Sequence, residues 1–207
     1  MLIPHTELNP ETLDELLGDY ASRDGTDDGQ FTTLDERKGH LLAALEREEV
    51  FITYNHEHQQ PCLVAKHDTD PVALRDFAAL KAQLKEAAEE AAEEAAYQAK
   101  CEQEFVRLHA EFVQAGVFPI SLGRTVQTHA VHVLQQNGTL SLSDLQGVLH
   151  RHSLGDYGAI GWGDKLANLQ AIPSKGKLYS RYVVAGHDIC VESLDGHPRT
   201  MVRLPGE

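Results

Sequence analysis

Cysteine is scarce in this chain of 207 residues: Cys62, Cys101 and Cys190 are an odd number with no Cys-x-x-Cys spacing. Neither a disulfide framework nor a cysteine-built metal site is therefore expected, and the thiols are read as reduced and mostly buried. Apolar residues never run on for the ~18 positions that would span a bilayer. The opening MLIPHTELNPETLDELL lacks the basic flank and apolar core of a secretion signal, so a cytoplasmic protein without membrane contact is expected. Catalytic signatures are missing as well: there is no phosphate loop, Rossmann glycine pattern, His-Glu-x-x-His or nucleophile elbow, and no cofactor is expected. These gaps weigh against an enzyme.

Positive charge is the other shortage. The chain holds 18 Lys and Arg against 32 Asp and Glu, a net charge of −14. Residues 1–70 carry 5 basic and 16 acidic side chains, residues 71–116 carry 5 and 9, and residues 117–207 carry 8 and 7. Such a front half repels a phosphate backbone, whose non-specific affinity comes from Lys and Arg displacing counterions. Nucleic acid is therefore not expected to bind residues 1–116, and residues 117–207 remain open to it.

What is present reads as an α+β protein of two small modules separated by a long helix. Asn9 as N-cap, Pro10 in the first turn and Leu13, Leu16, Leu17 and Tyr20 on one face predict a short amphipathic helix. Arg23-Asp24-Gly25-Thr26-Asp27-Asp28-Gly29 has the composition of a structured loop. A second helix is expected over about 33–48, with Thr33 capping Glu36, and Val50–Tyr54 and Cys62–Ala65 predict a hairpin. Residues 1–70 thus form an α+β module.

Residues 71–116 contain no proline after Pro71 and no glycine before Gly116, and predict one helix. Phe77, Leu84, Ala91, Gln98, Phe105 and Phe112 recur every seven residues, with Leu80 and Leu108 among the intervening positions. Apolar at both ends and weak at Glu94 and Gln98, this stripe suits either a solvated spacer or self-association through residues 77–112.

Residues 117–207 predict helices first and sheet after: a helix over Arg124–Gln136, another capped by Ser141 or Ser143, a short one over Asp164–Ile172, then a three-stranded antiparallel meander. His152, Asp156, Asp164, Asn168, Ser180, Arg181 and Tyr182 hold the parts that acid–base or phosphoryl chemistry needs: a titratable imidazole, orienting carboxylates and an anion-holding guanidinium. The same residues serve equally as turn glycine neighbours, caps and helix-face groups. His129 and His132, one helical turn apart, with His152 or His150 from the next helix, form the candidate metal set. His56, His58 and His67 read as loop histidines. Trp162, flanked by Gly161 and Gly163, is either a core anchor or a stacking surface for a ligand.

MLIPHTELNPETLDELL, RDGTDDG and TLDERKGHLLAALEREEVFITYN, in that order and spacing, resemble the YheU-like family of small bacterial proteins over residues 1 to about 68. The resemblance implies a fold and a bacterial origin and assigns no reaction. Its most specific part is the Gly-Thr-Asp loop, which marks Arg23, Asp24, Thr26 and Asp27 as candidate binding residues; Asp28 stands where that family commonly has an aromatic. Leu149–His152, Gly155-Asp156-Tyr157-Gly158, Asp164 with Asn168, Leu178–Tyr182 and the closing Thr-Met-Val-Arg-Leu-Pro resemble small proteins of conjugative plasmids and integrative elements. The second resemblance implies a bacterial mobile element, and the acidic front half leads to the expectation of an acidic adaptor or modulator bound to a host or element protein, one version being DNA mimicry toward a defence complex. The alternative is an enzyme acting on a nucleotide or nucleic acid through His152, Asp156, Asp164, Arg181 and Tyr182.

Overall fold

A computed structural model describes residues 1–23, 33–55 and 59–207. The chain divides into two compact units, Met1–Glu90 and Ala91–Glu207.

The first unit begins with β1 (Leu2–Ile3), followed by α1 (Pro10–Arg23), α2 (Leu34–Glu46), β2 (Val50–Asn55), β3 (Gln60–Ala65) and the first half of α3 (Pro71–Gln114). Asn9 caps α1, its Oδ1 accepting from the Thr12 N–H at 2.8 Å. Thr33 and Glu36 form a reciprocal capping box on α2, which satisfies N–H groups left free by the helix geometry. The strands make an antiparallel sheet in the order β1-β2-β3. β2 is its centre, and both faces of that strand are buried. Ile52 packs with Leu16 and Leu17 of α1 and Leu45 of α2, while Phe51 packs with Leu2 and with Phe77 of α3. The Phe51 and Phe77 rings meet edge to face with centroids 5.1 Å apart, a geometry favoured by the ring quadrupole. At two residues, β1 is too short to show alternation in the sequence and goes unpredicted there.

In the second unit α3 ends at Gln114, two residues short of the sequence expectation. It is followed by β4 (Arg124–Gln127), α4 (His129–Gln136), α5 (Leu142–Ser153), α6 (Trp162–Ala171), β5 (Leu178–Val184), β6 (His187–Ser193) and β7 (Arg199–Arg203). The sheet has four strands in the order β4-β7-β6-β5, with β4 parallel to β7 and the other pairs antiparallel. The expected helix over Arg124–Gln136 is therefore corrected: residues 124–127 are a strand, and the helix starts only at His129. Thr125 and Val126 are β-branched, and β7 offers a free edge, so the Thr128 N–H bonds the Val202 carbonyl at 3.0 Å and Thr128 keeps an extended backbone. Of the two serines proposed to cap α5, Ser141 does so, with Asp144 completing a capping box.

The core-facing residues of β5, β6 and β7 alternate with the outward ones. Tyr182, Ile189, Val191 and Val202 pack on Val131 of α4 and on Leu145 and Val148 of α5. A second cluster joins Tyr157, Leu169, Ile172 and Leu178, against which Phe105, Leu108 and Phe112 of α3 pack. The apolar ends of the seven-residue stripe are thus covered within the chain, Phe77 in the first unit and Phe105, Leu108 and Phe112 in the second. No helix is long and apolar enough to cross a membrane among the described residues.

Candidate functional site

The sequence gathers its candidate chemistry around α5, the turn after it and β5, and the fold brings part of that set together. His152 lies in the last turn of α5 with no solvent exposure. Its Nδ1 is 2.7 Å from the Ser180 Oγ of β5, and its Nε2 is 3.1 Å from the Ser193 Oγ of β6. Ser193 Oγ lies 2.6 Å from Thr200 Oγ1, and that hydroxyl donates to the Leu122 carbonyl at 2.7 Å. Each hydroxyl has one proton, which orients the whole chain. Thr200 spends its proton on Leu122, so Ser193 donates to Thr200 and accepts from His152 Nε2–H, and Ser180 donates to Nδ1. The imidazole is neutral and both its nitrogens are used. Burial, and then the neighbouring His197, hold its pKa down at about 4.

Tyr182 is buried two positions along β5 from Ser180 and its hydroxyl donates to the Asp156 carbonyl; burial pushes its pKa well above the ordinary tyrosine value. The Asp156 carboxylate points outward to Arg151, Nε to Oδ2 2.7 Å, and accepts from the Gly158 N–H at 3.0 Å. Partial burial raises its pKa, but the Arg151 bond and the Gly158 N–H outweigh this and leave it below the usual carboxylate range. Arg181 faces away from His152, bonded to Asp188 at 2.6 and 3.0 Å. Asp164 is an exposed residue of the first turn of α6, where its charge suits the helix N-terminus. Asn168 pairs with the β5 backbone, donating to the Tyr179 carbonyl at 2.6 Å and accepting its N–H at 3.0 Å.

The glycines explain the turn. Gly158 has φ +69°, and a Cβ there would lie 2.1 Å from the Arg181 carbonyl oxygen. The Ala159 N–H bonds that same oxygen at 2.7 Å, and Arg181 N–H reaches the Tyr157 carbonyl at 3.2 Å. The end of Gly-Asp-Tyr-Gly therefore meets the edge of β5 through a single parallel bridge between Gly158 and Arg181. Tyr157 is buried under it, with its hydroxyl the one side-chain group of this cluster that lacks a hydrogen-bond partner among the described residues.

Trp162 is half-buried at the start of α6, 5.5 Å from the Phe105 ring and beneath Lys165, whose Nζ is 4.1 Å from the indole centroid. Gln98 of α3 accepts the Trp162 and Gly163 N–H groups at 2.6 and 3.3 Å. This side chain, which looks like a flaw in the heptad stripe, caps α6 from another helix. His129 and His132 are exposed on α4, and His132 Nδ1 lies 3.1 Å from the Gln127 amide. Among the described residues no group of three His, Cys, Asp or Glu side chains is arranged to hold a metal ion.

In the first unit, Arg23 closes α1 with its guanidinium 5.7 Å from the Tyr20 ring. Asp24, Thr26 and Asp27, with His56 and His58, lie outside the described residues. A groove of about 530 Å³ runs beside α3, floored by Leu2, Phe77 and Leu80 and rimmed by Asp70 and Asp76.

Residues 1–68 match the model of the uncharacterised protein family UPF0270. Over 68 residues the chain is 46% identical to a UPF0270 protein of Pseudomonas putida strain GB-1, a match covering 91% of that relative and 33% of this chain. The chain belongs to the UPF0270 family. A UPF0270 protein of Azotobacter vinelandii is 47% identical over 68 residues, again 91% of its length and 33% of this chain. One from Pseudomonas aeruginosa strain LESB58 is 42% identical over 76 residues, 100% of its length and 37% of this chain. The UPF0270 segment thus coincides with the YheU-like resemblance and supplies β1, α1, α2, β2 and β3 of the first unit, whereas the His152 network belongs wholly to the second.

Ser193 and Thr200 are network members that sequence reasoning does not single out. Alternation holds a usable signal: Ser193 shares a strand face with Ile189 and Val191, and Thr200 shares one with Val202, so each is a polar residue at a core-facing position. The register that sets them beside His152 is not readable from the chain.

Proposed function

We propose that this UPF0270 member is a non-catalytic acidic adaptor or modulator that binds a basic protein through residues 1–68, with residues 117–207 as a second recognition module. The observation that carries this reading is the occupancy of His152: a general base needs a free nitrogen within reach of substrate, and here both nitrogens are held by serine hydroxyls at zero exposure. Arg181 and Asp156 are each engaged in an ion pair, the Tyr182 hydroxyl is spent on the Asp156 carbonyl, and Asp164 is an exposed first-turn residue of α6. The first unit supports the binding role. Glu7, Glu11, Glu15, Asp19, Asp35, Glu46 and Asp70 are all exposed there, so their charge reaches solvent and steers a positively charged partner. The groove beside Phe77 offers an apolar floor within that acidic field. A mobile-element origin is proposed on the sequence resemblance of residues 120–205 to plasmid and integrative-element proteins alone, and mimicry of DNA toward a defence complex is the narrower form of the same reading.

The test is purification of the full chain from bacterial cells at 50 and 300 mM salt, with a Glu11→Lys, Glu15→Lys, Asp19→Lys variant beside it. A stoichiometric basic protein that dissociates at the higher salt and is lost in the variant is the expected result. A small-molecule substrate turned over by the chain, with turnover abolished by His152→Gln at unchanged thermal stability, would replace the adaptor with the enzyme.

A further inference from the structure

One face of the second unit's sheet packs on α4 and α5 through Tyr182, Val191 and Val202. The alternate residues form the opposite face, on which Arg181 and Arg199 are exposed and Val183 is 67% exposed, while Cys190 and Glu192 of the central strand β6 lie buried beneath the flanking side chains. Strand pairing puts its members in rows. Arg181 lies opposite Cys190, which lies opposite Arg203; Tyr179 lies opposite Glu192, which lies opposite Met201; and Arg124 of β4 is level with Arg199 of β7. Lys177 joins the face through its ion pair with Glu192.

The charge on this face runs against that of the chain. Arg124, Lys177, Arg181, Arg199 and Arg203 meet two carboxylates, Asp188 and Glu192, in a protein whose net charge is −14. Asp188 is taken by Arg181, and Glu192 by Lys177 and Arg203. Arg124 and Arg199 are exposed on adjacent strands, and among the described residues no carboxylate is bound to either. Between the cations sits the partly buried ring of Tyr179, its hydroxyl 3.1 Å from the Cys190 Sγ and the Arg203 guanidinium 5.9 Å from its centroid.

We propose that this face, through the exposed arginines of β4 and β7 and the ring of Tyr179, binds single-stranded nucleic acid. The chemistry is that of a backbone-tracking basic surface joined to a stacking platform: guanidinium groups contact phosphates, and a tyrosine ring accepts an unpaired base without regard to its identity. A duplex hides its base faces and cannot use the ring. A membrane surface would use the cations alone and leave Tyr179 without a role. The proposal is independent of the acidic adaptor reading, which concerns residues 1–68, and it adds a second ligand class to the chain.

The experiment is fluorescence anisotropy of a fluorescein-labelled 20-nucleotide single-stranded RNA of mixed sequence titrated with the full chain. With three to five phosphates contacted, raising salt from 50 to 200 mM lowers affinity by roughly 20- to 100-fold. Arg124→Gln with Arg199→Gln weakens binding at 50 mM salt by about tenfold and flattens the salt dependence. Tyr179→Leu weakens it by about tenfold with the salt dependence unchanged. Melting curves accompany each variant, and the arginine pair, being exposed and clear of the carboxylates on this face, serves as the arm that keeps the fold. Absence of binding at 50 mM salt overturns the proposal, as does binding that both variants retain in full. Equal affinity for a 20-base-pair duplex, or capture by vesicles containing phosphatidylserine where the RNA does not bind, also overturns it.

Discussion

His152 Nδ1 and the Ser180 hydroxyl lie 2.7 Å apart at the meeting of α5 and β5, both at zero solvent exposure. The bond fixes a neutral imidazole in the core, and its first consequence is thermodynamic. The pKa is about 4 in the folded chain against 6.5 for an ordinary histidine, so between those values the unfolded chain binds the proton and the folded chain does not. Stability is full above about pH 6.5 and is lost as pH falls toward 4, a contribution on the order of 3 kcal/mol. Urea melts between pH 7.5 and 5 check this. The expected slope is up to about 1.4 kcal/mol per pH unit near pH 5, much reduced in His152→Gln, and a flat profile in the parent chain would contradict the buried neutral state.

Gly158 separates two costs. Gly138 also has positive φ, +77°, but a Cβ there meets nothing within 4 Å, whereas at Gly158 it meets the Arg181 carbonyl at 2.1 Å. Gly138→Ala should cost about 1 kcal/mol from the left-handed backbone alone. Gly158→Ala should cost about 2–4 kcal/mol, because the bridge between Gly158 and Arg181 must open. Denaturant midpoints of the two variants decide the matter, and equal losses would remove the close approach as the reason for the glycine.

Gln98 is expected to behave as a helix cap, although it stands 64 residues from Trp162. Gln98→Leu leaves the Trp162 and Gly163 N–H groups without their acceptor and should cost about 1–2 kcal/mol. Trp162 is the single tryptophan of the chain, so its emission reports directly on the start of α6. A red shift with the stability loss is the expected pair, and a Gln98→Leu variant as stable as the parent would show that the heptad stripe, not the cap, governs this position.

Phe105 packs against the Tyr157–Leu169 cluster and lies 6.4 Å from the Tyr157 ring. Phe105→Ala should therefore destabilise by about 2–4 kcal/mol through lost burial and the cavity left behind. Leu84→Glu, at a partly exposed position, should leave stability within about 0.5 kcal/mol. Sedimentation of both variants beside melting curves tests this. A halved mass in Leu84→Glu would instead reveal self-association through residues 77–112.

Local chemistry carried most of the elements. Asn9, Thr33 and Ser141 are caps that act on residues three positions away, and the absence of glycine and proline through most of residues 71–114 permits a helix whatever surrounds it, so these features were legible in the chain. The fold class and the UPF0270 segment were legible for the same reason, since order and spacing are properties of the sequence itself. Tertiary structure alone decided what depends on a distant partner. Residues 124–127 became a strand because β7, some 75 residues on, offered an edge, and hydrogen bonding to it outweighed a weak helical pattern. The His152 group looked like catalytic parts because residue types do not reveal burial or register. Only the pairing of Ser180 with Val191 and of Ser193 with Thr200 brings those hydroxyls around the imidazole, and that pairing uses its nitrogens to hold the core together.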